Sequence, residues 1–167
     1  VVTLKPETVT LTNELPGRVT PLQVAEVRPQ VTGIIQERLF QEGSPVKKGM
    51  PLYQIDSNTY QAATDTATAQ LAKAEASLAS APSKARRGQD LGERGLVSRD
   101  SYDDQVTAQK QAEADVAVAQ AALKTARINL AYTQVKSPLG GFIGKSSVTA
   151  GALVTANQAA ALATIQQ

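Results

Sequence analysis

The sequence predicts an α+β fold in which a long antiparallel helical hairpin interrupts a β-rich unit. The composition changes twice along the chain, the middle section has a seven-residue period, and the two flanking sections share one spacing of glycine and β-branched residues. Only 4% of the 167 residues are aromatic. Because aromatic side chains dominate core burial, so low a content favours an elongated molecule with a thin core.

The chain lacks two residue types that most catalytic and metal sites use. It contains no Cys and no His, which removes disulfides, thiolate ligands, the commonest general base and the commonest metal ligand. Its formal net charge is +2, and its charges are interspersed rather than clustered as nucleic-acid binding requires. We therefore expect no enzyme, no metal or cofactor site and no nucleic-acid partner.

The first and last sections are predicted to form short strands joined by turns. Val, Ile, Leu, Pro and Gly are frequent up to residue 56 and again from about residue 134. Residues 9–12 alternate apolar and polar side chains, as a half-buried strand does. Glycines such as Gly33 and Gly43 separate apolar runs that are too short for helices.

The middle section is rich in helix-forming residues, and its apolar residues recur at alternating steps of four and three. This period is typical of a coiled-coil seam. Two arms separated by Gly92 and Gly95 predict an antiparallel hairpin, whose arms of about 35 residues would be roughly 50 Å long. The seam consists of Tyr60, Thr64, Ala67, Leu71, Ala74, Leu78 and Ala81 in the first arm, and of Tyr102, Gln105, Gln109, Ala112, Val116, Ala119, Leu123, Ala126 and Leu130 in the second.

The ends of the two helices and one defect are also visible in the sequence. Ser98 is a suitable N-cap for the second helix, and Asp56 or Ser57 for the first. Pro82 lies inside the first arm, where a missing N–H and a clash with the preceding turn cost about 3 kcal/mol. We expect a kink or local break there, or a first helix that ends near Ala81.

The two strand-rich sections contain an internal repeat. Each member of one set of glycine and apolar residues recurs later at the same interval, which implies that the same strands and turns are built twice. The first set is Val27, Gly33, Ile35, Phe40, Gly43 and Val46, and the second is Val135, Gly141, Ile143, Val148, Gly151 and Val154.

Two such halves resemble the lipoyl- and biotinyl-carrier fold, a flattened β-sandwich in which the halves interlock. Residues 137–143 and 151–154 are similar to the second half of that family. In a carrier, a tight turn with a modifiable Lys joins the halves, whereas here the helical hairpin stands at that junction. Lys47 and Lys48 lie in another turn and are interpreted as ordinary solvated charges.

A more specific resemblance is carried by residues 14–18, 25–31, 52–56, 126–133 and 143–145. Together with a lipoyl-like domain split by a helical hairpin, these stretches resemble the periplasmic adaptor (membrane fusion protein) subunits of tripartite RND-type multidrug efflux pumps. The sequence departs from that family at Leu139 and Gly140, where Ile and Ser are more frequent, and at Pro82.

The resemblance implies four units. Residues 1–22 would be strands of an incomplete β-barrel and membrane-proximal region, and residues 23–56 the first lipoyl-like half. Residues 57–133 would form the α-helical hairpin, and residues 134–167 the second lipoyl-like half and the start of the β-barrel. Alternatively, the protein is complete and its first strands belong to the lipoyl-like core.

The resemblance also implies a function without catalysis. Such adaptors bridge an inner-membrane RND transporter and an outer-membrane channel, and six copies assemble in the pump. The implied location is the periplasm, with an N-terminal lipid anchoring the full-length protein to the inner membrane. The family carries Arg, three residues, Leu, six residues and Ser at the hairpin tip, and Arg87, Leu91 and Ser98 match this spacing. Their implied role is docking onto the channel. Without the resemblance, Arg87 also fits a solvated charge, Leu91 a seam residue and Ser98 a helix N-cap.

Two other functions are compatible with the sequence. An adaptor of an ABC-type exporter or secretion system would share the hairpin and the lipoyl-like domain. A lipoyl or biotinyl carrier domain would instead bear a covalent adduct on a lysine.

Overall fold

The chain forms a two-sheet β-sandwich from which two long helices extend. The strands are β1 (Val24–Val27), β2 (Gly33–Arg38), β3 (Pro45–Val46), β4 (Pro51–Ile55), β5 (Gln134–Lys136), β6 (Gly141–Ile143), β7 (Leu153–Val154) and β8 (Ala163–Gln166), and the helices are α1 (Asn58–Glu93) and α2 (Arg99–Tyr132). This computed structural model describes residues 3, 6, 8–10, 12–14, 16–93 and 99–167, without the side chains of residues 82, 84, 85, 87–93 and 99–102.

The strand order confirms the predicted duplication. One sheet has the order β1-β8-β6-β3 and the other β5-β4-β2-β7, and all their strand pairs are antiparallel. If each strand is replaced by its counterpart in the other half of the chain (β1 by β5, β2 by β6, β3 by β7, β4 by β8, and the reverse), the strand order of one sheet becomes that of the other. Each sheet therefore takes two strands from each half of the chain, so the halves interlock and neither can complete a sheet alone.

The repeated residues form the core between the sheets. Alternate side chains of each strand point inward, because successive residues of a strand face opposite sides of the sheet. Phe40 is buried, while its repeat mate Val148 is only partly buried and packs at the edge of the core. The other repeated apolar residues are all buried, namely Val27, Ile35 and Val46 in the first half and Val135, Ile143 and Val154 in the second.

Tyr53 is a buried polar residue that ties the two halves together. Its hydroxyl oxygen lies 2.7 Å from the Ser146 hydroxyl oxygen and donates a hydrogen bond to the Leu162 carbonyl at 3.0 Å. The Phe40 ring meets the Tyr53 ring edge-on, with centroids 5.2 Å apart. Burial raises the pKa of the Tyr53 hydroxyl, because the phenolate would lose its hydration in this site.

Two repeat-related glycines allow close approach within the sandwich. A Cβ at Gly33 would lie 2.6 Å from the Cγ2 atom of Ile55. A Cβ at Gly141 would overlap the carbonyl group of Gln166 in the neighbouring strand β8, with the carbonyl carbon 2.9 Å away. An added Cβ would therefore clash with a movable side chain at Gly33 and with backbone at Gly141.

The described residues before Val24 belong to no strand of either sheet. A half-buried strand was expected over residues 9–12, and the described residues 9, 10 and 12 are exposed and belong to no strand. Leu22 extends the β1–β8 pairing by donating its N–H to the Gln167 carbonyl at 2.7 Å. The assignment of residues 1–22 to a further module stays a prediction.

The expected local break at Pro82 is wrong, and the expected kink stays a prediction. Helix α1 runs without interruption from Asn58 to Glu93, so the first helix does not end near Ala81. A proline removes one backbone hydrogen bond, whereas α1 packs against α2 through a seam whose residues are buried or half-buried from Tyr60 to Ala81. Ala81, directly before the proline, is still half-buried in the seam. The packing along the seam therefore outweighs the local defect.

Candidate docking site on the helical hairpin

The base of the hairpin is fixed to the sandwich by hydrogen bonds. Ile55, the last residue of β4, donates its N–H to the Thr133 carbonyl at 2.8 Å, which holds the start of α1 beside the end of α2. The Asp56 carboxylate accepts the N–H of Asn58 at 3.1 Å, so Asp56 is the residue whose side chain caps the first turn. Tyr60 donates its hydroxyl to the Thr32 carbonyl at 2.7 Å. Both helices therefore leave the sandwich in fixed directions.

The predicted seam holds the two helices together. From Tyr60 to Ala81, each seam residue of α1 is buried or half-buried, and every residue between them is exposed. The seam residues of α2 from Gln105 to Leu130 are likewise buried or half-buried. Thr64, Ala67 and Leu123 are the most buried of these side chains. The seam is narrow and rich in alanine, so its burial contributes little per residue.

The seam becomes more polar toward the tip. The Oε1 atom of Gln105 is buried and has no hydrogen-bond partner among the described residues. A buried amide oxygen without a partner lowers stability, so Gln105 is a locally unfavourable residue of the seam. Small and polar residues surround it in a shallow groove lined by Ser77, Ser80, Ala81, Ala108 and Ala112. Gln105 was predicted to lie in the seam, whereas the groove around it was not predicted. A glutamine at a seam position could have indicated it.

The expected docking residues lie at the far end of the hairpin from the sandwich. Arg87 and Leu91 fall in the last two turns of α1, and their spacing of four places both positions on one face of the helix. Their side chains lie outside the described part of the structure. Ser98 also lies outside the described residues, and α2 begins at Arg99, the next residue. The docking role of these three residues stays a prediction.

The junction between the halves is occupied by the hairpin. Strand β4 ends at Ile55 and β5 begins at Gln134, so the whole of α1 and α2 separates them. Lys47 and Lys48 are exposed in the turn between β3 and β4, away from that junction. In the described part of the chain, no group of His, Cys, Asp or Glu side chains could hold a metal ion. Neither helix, over the residues that the structure describes, has an apolar stretch long enough to cross a membrane.

Known efflux pump proteins share much of this sequence. The multidrug efflux pump subunit AcrA of Escherichia coli K12 is 53% identical over the whole chain, which spans 42% of AcrA. The toluene efflux pump periplasmic linker protein TtgG of Pseudomonas putida is 50% identical over the whole chain, which spans 39% of TtgG. The chain thus covers about two fifths of the length of these relatives.

A solved structure and a family model agree with these relatives. A MacA–MexA chimeric protein with the Pseudomonas aeruginosa MexA α-hairpin domain superposes with a TM-score of 0.55 at 32% identity, covering 88% of this chain and 49% of the chimera. The model of the RND membrane fusion protein barrel-sandwich hybrid domain matches residues 23–166, which include strands β1 to β8 and helices α1 and α2. The chain therefore belongs to the RND membrane fusion protein family.

Proposed function

We propose that this chain is the hairpin-bearing part of a periplasmic adaptor in a tripartite multidrug efflux pump. In this proposal the adaptor bridges an inner-membrane RND transporter and an outer-membrane channel, and several copies assemble around the path of the drug. The subunit makes and breaks no covalent bond. The observation that carries the proposal is the 53% identity over the whole chain to a multidrug efflux pump subunit.

The architecture suits a bridging role. The hairpin is fixed at its base by the Ile55–Thr133 hydrogen bond, and α1 continues through 36 residues to the tip. At 1.5 Å per residue, it reaches about 54 Å from the sandwich. A projection of that length can contact a partner that the sandwich itself does not touch.

The proposed contact with the channel is at the tip. Arg87 would donate several hydrogen bonds to exposed carbonyl oxygens at the ends of the partner's helices. Leu91, on the same face of α1, would bury against a groove in the partner. Ser98 would cap α2 and bond to the partner. These roles follow from the family spacing together with the position of Arg87 and Leu91 at the end of α1.

Drug susceptibility in cells tests both the function and the tip. A strain without its own adaptor receives the full-length protein with its native transporter and channel, and resistance is measured for wild type and for Leu91→Asp with Ser98→Arg. Wild type is expected to restore resistance and the tip variant to lose it; Arg87→Asp alone should have the same effect. The matched control is Ala63→Asp with Thr68→Arg, two exposed positions of α1 far from the tip, which should retain resistance.

The outcomes separate the two parts of the proposal. Failure of wild type to restore resistance would refute the pump function. Full resistance of the tip variant at wild-type protein level would refute the docking role alone. Mass spectrometry of the purified protein addresses the carrier alternative, since a lipoyl or biotinyl adduct on a lysine would contradict the adaptor function. The proposed N-terminal lipid anchor predicts that the full-length protein incorporates labelled fatty acid and fractionates with the inner membrane.

A further inference from the structure

Thr32 joins three segments of the chain near the base of the hairpin. Its carbonyl oxygen accepts the hydrogen bond from the Tyr60 hydroxyl of α1 at 2.7 Å, and its side-chain oxygen Oγ1 accepts the N–H of Ala156 at 3.0 Å. Thr32 directly precedes β2 in the first half, whereas Ala156 lies in the turn after β7 in the second half. One exposed residue therefore links the hairpin to both halves of the sandwich.

The bond from Tyr60 differs from the other hydrogen bonds at the base. The Ile55–Thr133 and Asp56–Ile34 bonds join backbone groups where the chain passes between sandwich and hairpin, so they hold the connections rather than the helices. Tyr60 lies within α1, and its ring packs against the core of the sandwich. Within the described residues, no other hydrogen bond joins α1 to a strand or loop of the sandwich. The Tyr60 hydroxyl therefore resists tilting of α1 about its connection.

The internal repeat supplies a comparison within the same molecule. The turn over residues 155–158 corresponds to the turn over residues 47–50, at the same interval as the other repeat pairs. Asn157 donates its N–H to the Pro29 carbonyl at 2.9 Å, and its repeat mate Gly49 donates to the Ser137 carbonyl at 2.8 Å. Asn157 and Gly49 both have a positive φ, 55° and 82°. The two turns are therefore built alike.

The side-chain bridge is present at only one of these two turns. The repeat mate of Thr32 is Gly140, which has no side chain, and the mate of Ala156 is Lys48. A Cβ at Gly140 would lie 3.8 Å from the Lys48 backbone nitrogen, so this position has room for an equivalent bridge. The turn over residues 47–50 forms without one, and it precedes β4 at the end away from the hairpin. The Thr32 bridge is thus not needed to build the turn, and it occurs where a helix leaves the sandwich.

We propose that Thr32 is a positioning residue that sets the direction of the hairpin. Its carbonyl holds α1 through Tyr60, and its hydroxyl anchors residue 32 to the turn of the second half. Because hydrogen bonds are directional, an anchored carbonyl fixes the Tyr60 hydroxyl, whereas an unanchored one would move with it. The inference deepens the proposed function and rests on it. On a helix of 36 residues, a tilt of about 10° at the base moves the tip by about 9 Å.

The distance between two spin labels on the full-length protein tests this role. Ala76→Cys on α1 and Lys145→Cys on the sandwich carry the labels, because both positions are exposed. Labelled protein is diluted into unlabelled protein, so that only distances within one copy are measured. Tyr60→Phe removes the hydroxyl and keeps the ring, and it should widen the distance distribution about twofold. Thr32→Val removes the Oγ1 acceptor and should have the same effect.

Three control variants should keep the wild-type width. Thr32→Ser retains the hydroxyl. Tyr132→Phe removes the hydroxyl of the tyrosine that ends α2, which makes no hydrogen bond to the described residues. Gly140→Ser adds a hydroxyl at the opposite end of the sandwich. Wild-type width in the Tyr60→Phe or Thr32→Val protein would overturn the proposal, as would widening of equal size in any of the three controls.

Drug resistance measured in parallel separates this inference from the proposed function. Tyr60→Phe and Thr32→Val should lower resistance, whereas Tyr132→Phe and Thr32→Ser should retain it. Failure of wild type to restore resistance would refute the pump function, and the label distances would still decide whether Thr32 sets the direction of the hairpin. A wider distance distribution with full resistance would show that this direction does not limit the pump, and would overturn the positioning role.

Discussion

Replacing Gly141 with Ala should destabilise the sandwich far more than the same change at its neighbour Gly140. Gly141 lies in the central strand β6, opposite Val46 of β3, and the next residue pairs with Gln166 of β8. A Cβ at position 141 would overlap the Gln166 carbonyl, which is backbone and cannot rotate away. A Cβ at position 140 would lie 3.6 Å from the Val46 carbonyl oxygen, an ordinary contact.

The magnitude follows from the strand movement that the overlap requires. Overpacking in a well-packed core costs about 1–3 kcal/mol, and each weakened hydrogen bond between β6 and β8 adds about 1 kcal/mol. The lower chain entropy of Ala in the unfolded state offsets about 0.4–1 kcal/mol. We expect Gly141→Ala to lower the free energy of unfolding by about 3 kcal/mol. Gly33→Ala should cost only about 1–2 kcal/mol, because it displaces the side chain of Ile55 rather than backbone.

Urea unfolding followed by tyrosine fluorescence measures these changes, because Tyr53 lies in the core and the chain has no Trp. A loss of about 3 kcal/mol should also lower the melting temperature by about 6–12 °C. Gly140→Ala is the control and should stay within about 0.5 kcal/mol of wild type. Equal stability of the Gly141→Ala and Gly140→Ala proteins would show that the steric argument is wrong.

Three further changes test the core and the hairpin. Tyr53→Phe removes the hydroxyl that bonds to Ser146 and Leu162 and should cost about 1–1.5 kcal/mol near neutral pH. Since burial raises the pKa of Tyr53, wild-type stability should fall as the pH rises above the ordinary tyrosine pKa. The Tyr53→Phe protein should lose this part of the alkaline dependence. If its urea midpoint depends on pH as that of wild type does, the raised pKa of Tyr53 would be contradicted. Pro82→Ala should raise the thermal stability of the hairpin without raising its helical circular dichroism at low temperature, because α1 already continues past residue 82; a clear gain in helicity would show that the helix is broken there. Leu123→Ala should lower the free energy of unfolding by about 2 kcal/mol, because Leu123 is buried in the seam. If its effect were no larger than that of Val118→Ala, at an exposed position of α2, the assignment of Leu123 to the seam would be wrong.

The candidate site was only partly predictable from the sequence. The heptad period located the hairpin and its seam, because burial of one helix face leaves a period that local sequence records. Arg87, Leu91 and Ser98 were identified through the spacing of a known family, and the structure adds that Arg87 and Leu91 fall in the last turns of α1. The weakness around Gln105 depends on which α1 residues lie opposite it, which the sequence of α2 alone does not specify.

The sequence by itself determined the class of fold, the point where the hairpin enters the sandwich, and the repeat of glycine and apolar residues that forms the core. These are local features, since turn chemistry and the period of burial act over a few residues. Only the tertiary structure decided the exchange of strands between the halves, the partners of Tyr53, the continuity of α1 through Pro82 and the difference between Gly33 and Gly141. Each of these depends on the register between segments far apart in the chain, and contacts of that kind are set by packing of the whole domain rather than by any local pattern.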